Sequence, residues 1–132
     1  MKNKVILLFT FIVLLISLSM TSYAYWGDSY LISYYPSTST YTADLDIPYV
    51  VKSTEEKKAA FQGAYISSWS GPKARLVNSN KESRSGWVTL IGDEIKYTSD
   101  VSTTFNHYYY AEIEGAWNQL GEDTMRFRYN PY

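Results

Sequence analysis

The fold is decided by the stretch from Tyr108 to Tyr129, YYYAEIEGAWNQLGEDTMRFRY, in which two alternating segments flank a polar connection. Apolar residues recur at every second position in both segments: Tyr109, Ala111, Ile113, Met125, Phe127 and Tyr129. Two acids lie on the other face of the first segment and two arginines on that of the second. This period of two predicts a half-buried antiparallel strand pair. With Ile113 beside Met125, Glu112 is expected to pair with Arg126 across the ladder.

The first 24 residues have the layout of a secretory signal peptide. Lys2 and Lys4 give a positive start, and an uncharged apolar run follows over residues 5–20. Ser22 and Ala24 then supply the small residues of a cleavage site, so we predict cleavage after Ala24. The alternative is an uncleaved anchor, but the apolar run is shorter than the ~20 residues that a membrane span needs. The mature chain is therefore expected to be secreted and to contain no membrane span.

Residues 25–132 are expected to form a single domain, long enough to bury a core. The chain has no cysteine, which excludes a disulfide framework and suggests a bacterial source. Without the leader, ten basic residues face thirteen acidic ones. This mild acidity argues against nucleic acid as a partner, because phosphate binding needs a basic field. The richness in tyrosine suits the half-exposed faces of strands and favours an all-β fold.

Turn signals divide the mature chain into about eight short strands. Pro36, Gly71-Pro72 and the polar run over residues 78–86 are the strongest breakers. The predicted strands cover residues 30–35, 41–51, 59–68, 73–78, 87–91, 94–98, 108–114 and 124–129. A short helix over residues 57–62 is the alternative to the start of the third. Without any βαβ rhythm, this pattern favours an all-β, antiparallel β-sandwich, with a small barrel as the other option.

Two of these predictions are specific enough to be tested residue by residue. The clearest alternation in the chain runs from Tyr41 to Val51, and it predicts one continuous strand with one buried face. Pro48 cannot donate to a ladder, so this strand is expected at an edge or with a bend. Gly92-Asp93 fits a tight turn, and it predicts a hairpin between residues 87–91 and 94–98.

The residue types that carry catalysis are sparse. His107 is the sole histidine, and without cysteine or a second histidine it predicts no metal site. Asp44 with Asp46, and Glu112 with Glu114, have the spacing of paired carboxylates, but any solvated strand face gives the same spacing. Acids in turns, such as Asp93, show no calcium-loop motif. We therefore expect no catalytic residue, no metal and no cofactor, with a secreted hydrolase using paired carboxylates as the least favoured alternative.

Aromatic residues near strand ends and on the outward faces of strands are the best candidates for ligand contact. The four that we select as candidate ligand-binding residues are Trp26, Trp69, Trp117 and Tyr110. Exposed aromatic side chains on loops are common anchors for glycans, wall fragments or protein partners. Trp87, at the start of a strand, is instead expected in the core.

The C-terminal part resembles a known family. Gly115-Ala116-Trp117, a polar stretch and the ending from Phe127 to Tyr132 are similar to the end of the lactococcin-type secreted β-sandwich bacteriocins. The chain lacks that family's several histidines and its glycine-rich aromatic N-terminal segment. It also resembles small exported β-sandwich proteins of Gram-positive bacteria that have no assigned activity. The resemblance implies a β-sandwich that acts on a bacterial envelope.

These observations converge on one functional expectation. The protein is expected to be secreted, non-enzymatic and extracellular, and to bind a cell-envelope, glycan or protein partner through aromatic loops, with association with the cell wall as one option. The alternative is a lactococcin-like bacteriocin that targets the bacterial envelope.

Overall fold

The structure, a computed structural model, describes residues 26–64, 66, 71–98 and 101–132. The expected signal peptide with its cleavage residues Ser22 and Ala24, and the candidate Trp69, lie outside the described residues. Within the described part the chain forms nine strands and one short 3-10 helix. In chain order the strands are β1 (Tyr30–Tyr34), β2 (Ser39–Tyr41), β3 (Val50–Val51), β4 (Ala59–Ala64), β5 (Lys73–Val77), β6 (Val88–Thr89), β7 (Ile95–Thr98), β8 (Tyr108–Glu114) and β9 (Asp123–Asn130).

The strands form two antiparallel sheets, which confirms the expected all-β sandwich. The four-stranded sheet has the order β1-β9-β4-β7. The five-stranded sheet has the order β2-β8-β5-β6, and β3 pairs with β8 on the same side as β2. The inner faces of both sheets supply one buried cluster that includes Ile32, Phe61, Leu76, Ile113 and Phe127. Burial of this apolar surface is the main term that holds the two sheets together.

The faces expected for β8 and β9 are confirmed, but their expected pairing is wrong. The alternating apolar residues of both strands are buried in the common core. The two strands nevertheless belong to opposite sheets, with β8 between β2 and β5 and β9 between β1 and β4. They meet across the core, where the Tyr129 hydroxyl donates to the Tyr109 carbonyl over 3.0 Å. The predicted pair of Glu112 with Arg126 therefore does not form, because the two side chains lie on the outer faces of different sheets.

The expected continuous strand over residues 41–51 is also wrong. A 3-10 helix, η1 (Thr42–Leu45), separates β2 from β3 and ends at Asp46, whose φ of 54° is left-handed. The break leaves the Ala111 amide on β8 without a ladder partner, and the buried Thr42 hydroxyl accepts its hydrogen at 2.9 Å. Alternation alone did not reveal this insertion, because Leu45 and Tyr49 occupy the apolar positions of the pattern yet are exposed.

The predicted hairpin through Gly92-Asp93 has its turn but not its pairing. The turn forms, with the Glu94 amide donating to the Ile91 carbonyl over 3.0 Å. The strand before it, β6, pairs with β5 in the five-stranded sheet, whereas β7 pairs with β4 in the other sheet. The chain therefore crosses the core at this turn, as it does between β8 and β9.

Candidate functional site

A row of four side chains crosses the outer face of the five-stranded sheet. The antiparallel register places Tyr41 of β2 and Arg75 of β5 on either side of Glu112 of β8. The pairing of β5 with β6 places Trp87 beside Arg75 at the far edge. These residues point outward because the residues between them, such as Ala74 and Ala111, belong to the core.

Glu112 is the centre of this row and is almost completely withdrawn from water, with 2% of its surface exposed. Its carboxylate accepts hydrogen bonds from Ser39 Oγ at 2.6 Å, from the Tyr41 hydroxyl at 3.1 Å and from Arg75 Nε at 2.6 Å. Burial, followed by the hydrogen bond to Glu112, raises the pKa of Tyr41, so the phenol keeps its proton and remains a donor. Glu112 is thus a fixed acceptor that orients its neighbours.

Arg75 connects Glu112 to Trp87 at the edge of the sheet. Its guanidinium carbon lies 4.3 Å from the centre of the Trp87 ring, which is cation–π contact. Trp87 is half-buried on the outer face, so its expected place in the core is wrong. At the other end of the row, Lys81 Nζ lies 4.8 Å from the centre of the Tyr41 ring and 2.8 Å from the Asp44 carboxylate. Both outer rings of the row are therefore held by a paired cation.

Three more tyrosines continue the aromatic surface toward the start of β8. The ring centres of Tyr49 and Tyr108 are 4.7 Å apart, and those of Tyr49 and Tyr110 are 6.3 Å apart at nearly right angles. Tyr49 and Tyr108 are each 50% exposed. We call these three residues the tyrosine cluster; they leave part of their rings accessible on the same face as the row.

A cleft of about 410 Å³ opens next to the tyrosine cluster. Its walls come from the loop after β5 and the loop before β8, and Tyr108 lines it directly. The lining is polar and includes Arg84, Ser102, Thr104 and His107. None of the described residues that line this cleft is an Asp or Glu. The arrangement offers hydrogen-bond donors and acceptors but no carboxylate pair for glycoside hydrolysis.

The candidate residues chosen from the sequence do not share one surface. Tyr110 belongs to the tyrosine cluster, whereas Trp26 lies on the opposite face of the molecule, 4.6 Å from the Arg128 guanidinium. Trp117 is 84% exposed on the loop between β8 and β9. Sequence reasoning missed Tyr49 and Tyr108 as surface residues. Tyr108 shares the outward parity of Tyr110, so the period of β8 contained the signal for it.

The other chemical candidates have structural roles. Asp44 lies in η1 and pairs with Lys81, and Asp46 ends that helix, so the expected strand-borne carboxylate pair does not exist. His107 lines the cleft, with Nδ1 3.1 Å from the Phe105 carbonyl oxygen. Among the described residues no group of three His, Cys, Asp or Glu is placed to hold a metal ion. No helix within the described ranges has the length and apolarity to cross a membrane.

Comparisons with protein-family models, with curated proteins and with solved structures gave no match.

Proposed function

We propose that the protein is an extracellular, non-enzymatic binding module that holds a glycan of the cell envelope on the outer face of the five-stranded sheet. The observation that carries this proposal is the row Tyr41–Glu112–Arg75–Trp87, continued by the tyrosine cluster. Sugar rings present apolar C–H faces and a rim of hydroxyl groups. A surface of partly exposed aromatic rings with a few fixed polar groups complements both features.

Charge favours a glycan over the other classes of ligand. The cations of the row and its rim, Arg75 and Lys81, are each paired with a carboxylate, so this face has no basic field for a nucleic acid. The centre of the row is an ion pair, whereas the centre of a protein–protein interface is usually depleted of charged residues. Secretion rests on the layout of residues 1–24, which gives the module access to the envelope.

The rigidity of the row supports recognition of an extended polymer. Glu112 accepts three side-chain hydrogen bonds from residues of β2 and β5, and two of these partners, Tyr41 and Arg75, belong to the row. Side chains that are already fixed lose little conformational entropy on binding. The rings of Tyr41 and Trp87 are therefore held in one arrangement before the ligand arrives.

The proposal is tested with a glycan array and with affinity measurements on purified Gram-positive wall polysaccharide. We expect Tyr49→Ala and Tyr108→Ala each to weaken binding about tenfold, equivalent to about 1.4 kcal/mol. Tyr97→Ala is the matched control, because Tyr97 is 54% exposed on the other sheet. Equal loss with Tyr97→Ala, or no binding of any glycan by the unaltered protein, would overturn the proposal.

A bacteriocin that acts on the envelope is the second candidate, and the loop between β8 and β9 favours it. Trp117 and Leu120 are both exposed there, with Leu120 fully accessible. The loop is held in place, since Gln119 Nε2 donates to the Tyr34 carbonyl at 3.1 Å. Gly115 approaches Tyr35 so closely that an added Cβ would lie 2.1 Å from the Tyr35 carbonyl oxygen. A fixed loop that presents two apolar side chains is suited to contact with an apolar envelope component.

Growth inhibition by purified residues 25–132 on a panel of indicator bacteria separates the two candidates. If the protein is a bacteriocin, we expect growth inhibition that Trp117→Ala abolishes and Tyr108→Ala preserves. Binding of a glycan without inhibition leaves the binding module as the function.

A further inference from the structure

The cleft beside Tyr108 has walls that are fixed before any ligand binds. On one side, the Arg84 amide donates to the Leu76 carbonyl over 2.8 Å, which ties this loop to β5. On the other side, the Thr104 amide donates to the Tyr109 hydroxyl over 2.8 Å. The two walls are joined by a hydrogen bond of 2.7 Å from the Ser102 amide to the Arg84 carbonyl. The cleft is therefore bounded by walls that are tied to each other and to β5, and is not a gap between independent loops.

The charge of the cleft is balanced. Arg84 Nη2 lies 2.7 Å from the Glu82 carboxylate, which also accepts a hydrogen bond of 2.6 Å from Asn78 Nδ2. Because this acid offsets the guanidinium, an anionic ligand gains little from the site. The guanidinium still has further N–H donors, since it carries five in all. These donors suit neutral oxygen acceptors such as hydroxyl groups.

The remaining lining adds donors and acceptors of the same kind. Ser102 and Thr104 contribute hydroxyl groups to the wall. The contact of His107 Nδ1 with the Phe105 carbonyl oxygen assigns the proton to Nδ1 and leaves Nε2 for another partner. The volume of about 410 Å³ lies toward the small end of ligand sites, which span ~300–1,000 Å³. A small polyhydroxylated group fits both the size and the polarity.

Tyr108 joins this cleft to the tyrosine cluster, because one face of the site is lined by Tyr108 and the same ring packs against Tyr49. We propose that the cleft is a subsite for the terminal ring of a neutral glycan, whose preceding rings lie on the tyrosine cluster. This inference rests on the proposed glycan-binding function. It adds the direction in which the glycan chain lies, the neutral class of the sugar and the binding of the chain by its end. A chain end enters the cleft while the rest of the chain runs over Tyr49 and Tyr110.

The test uses the secreted full mature chain and short oligosaccharides prepared from neutral wall polysaccharide, with the terminal ring free or carrying a bulky substituent. Ser102→Phe fills the cleft, and Ser29→Phe, at an exposed position before β1, is its control. We expect Ser102→Phe and the terminal substituent each to weaken binding about tenfold, whereas Ser29→Phe leaves it unchanged. Arg84→Gln should weaken binding in the same direction.

Three outcomes overturn the inference. Binding that depends on Tyr49 but is unchanged in Ser102→Phe removes the end-on subsite and leaves the proposed function intact. Preference for an acidic oligosaccharide, with affinity that falls at high salt, contradicts the neutral class. No binding of any oligosaccharide by the unaltered protein removes both the subsite and the proposed function. Thermal unfolding of each variant shows whether a loss of binding follows from a loss of folding.

Discussion

The outer faces of the two sheets differ in how their charges are held. On the five-stranded face, Arg75 pairs with Glu112, and Lys81 pairs with Asp44, in each case across 37 positions of the sequence. On the four-stranded side, the ion pairs join residues two positions apart, as in Lys96 with Glu94. Arg126 is exposed on that face and has no ion pair within the described part of the chain.

This contrast separates a face with long-range ion pairs from a face whose ion pairs are local. A long-range pair fixes two distant segments against each other, so the aromatic rings next to it acquire fixed positions. A local ion pair at the surface stays exposed to water and connects no distant segments. Such pairs contribute about 0–1 kcal/mol to the free energy of unfolding. The site proposed here therefore lies on the face whose charges also hold the fold together.

The largest expected effect comes from breaking the buried pair. Arg75→Met leaves the Glu112 carboxylate buried without its cation, and we expect the free energy of unfolding to fall by about 3–5 kcal/mol. Arg126→Met on the other face should change it by no more than about 0.5 kcal/mol. Urea unfolding of both variants measures the difference, and similar losses in the two would show that the faces do not differ in this way.

A second pair of variants compares two acids on one face of one strand. Glu112→Gln keeps the shape of the side chain but weakens three hydrogen bonds, and we expect a loss of about 1–3 kcal/mol. Glu114 lies 3.8 Å from Lys73 in a half-exposed ion pair, so Glu114→Gln should cost about 1 kcal/mol or less. Chemical unfolding at neutral pH gives both numbers, and an equal or larger loss for Glu114→Gln would contradict the assigned role of Glu112.

The tyrosines extend the comparison to the core. Burial raises the pKa of Tyr129 well above its usual value of about 10. Above that pH the unfolded chain loses this proton while the folded protein keeps it, so stability is complete below pH ~10 and is lost as pH rises, by about 1.4 kcal/mol per pH unit.

Unfolding measured from neutral to alkaline pH tests this expectation. Tyr129→Phe should flatten the alkaline loss, and Tyr41→Phe on the outer face should flatten it less, because Tyr41 is only partly withdrawn from water. An unchanged pH dependence in Tyr129→Phe would show that other groups control the alkaline loss.

The smallest expected effect concerns the exposed rim of the row. Lys81 and Asp44 are 2.8 Å apart, but about half of each side chain is in water. Asp44→Asn should lower stability by about 1 kcal/mol or less, and the difference should shrink at high salt. Glu94→Gln, which removes the acid of the ion pair with Lys96 beside the other sheet, is the matched control for Asp44→Asn. A loss for Asp44→Asn that is large and insensitive to salt would place this pair with Arg75 and Glu112, and not at the rim.

Local pattern predicted where strands lie better than which strands pair. β8 has the predicted bounds, and β5 and β9 differ from theirs by one residue at one or both ends. The sequence predicts that β6 pairs with β7 and that β8 pairs with β9, but the members of each predicted pair lie in different sheets. A turn sequence permits the chain either to return in the same sheet or to cross to the other. That choice depends on which arrangement buries both apolar faces together.

The candidate site shows the same division. Tyr110 was identified from its outward position on β8, and Tyr108 follows from the same parity. The alternation predicts Tyr49 on a buried face, because the 3-10 insertion that turns this residue outward leaves no mark on the pattern. The arginine partner of Glu112 was expected on β9 and is found on β5, so the kind of interaction was predicted and its location was not.

The sequence by itself determined the fold class and the buried faces of β8 and β9. The alternation of side chains is local, and burial of the apolar face is favourable whatever the neighbour. Only the tertiary structure decided that Tyr41, Glu112, Arg75 and Trp87 form one row. Their alignment depends on register between strands far apart in the chain, and register is set by the burial of both sheets at once. The aromatic face next to the cleft is therefore a property of the assembled sandwich.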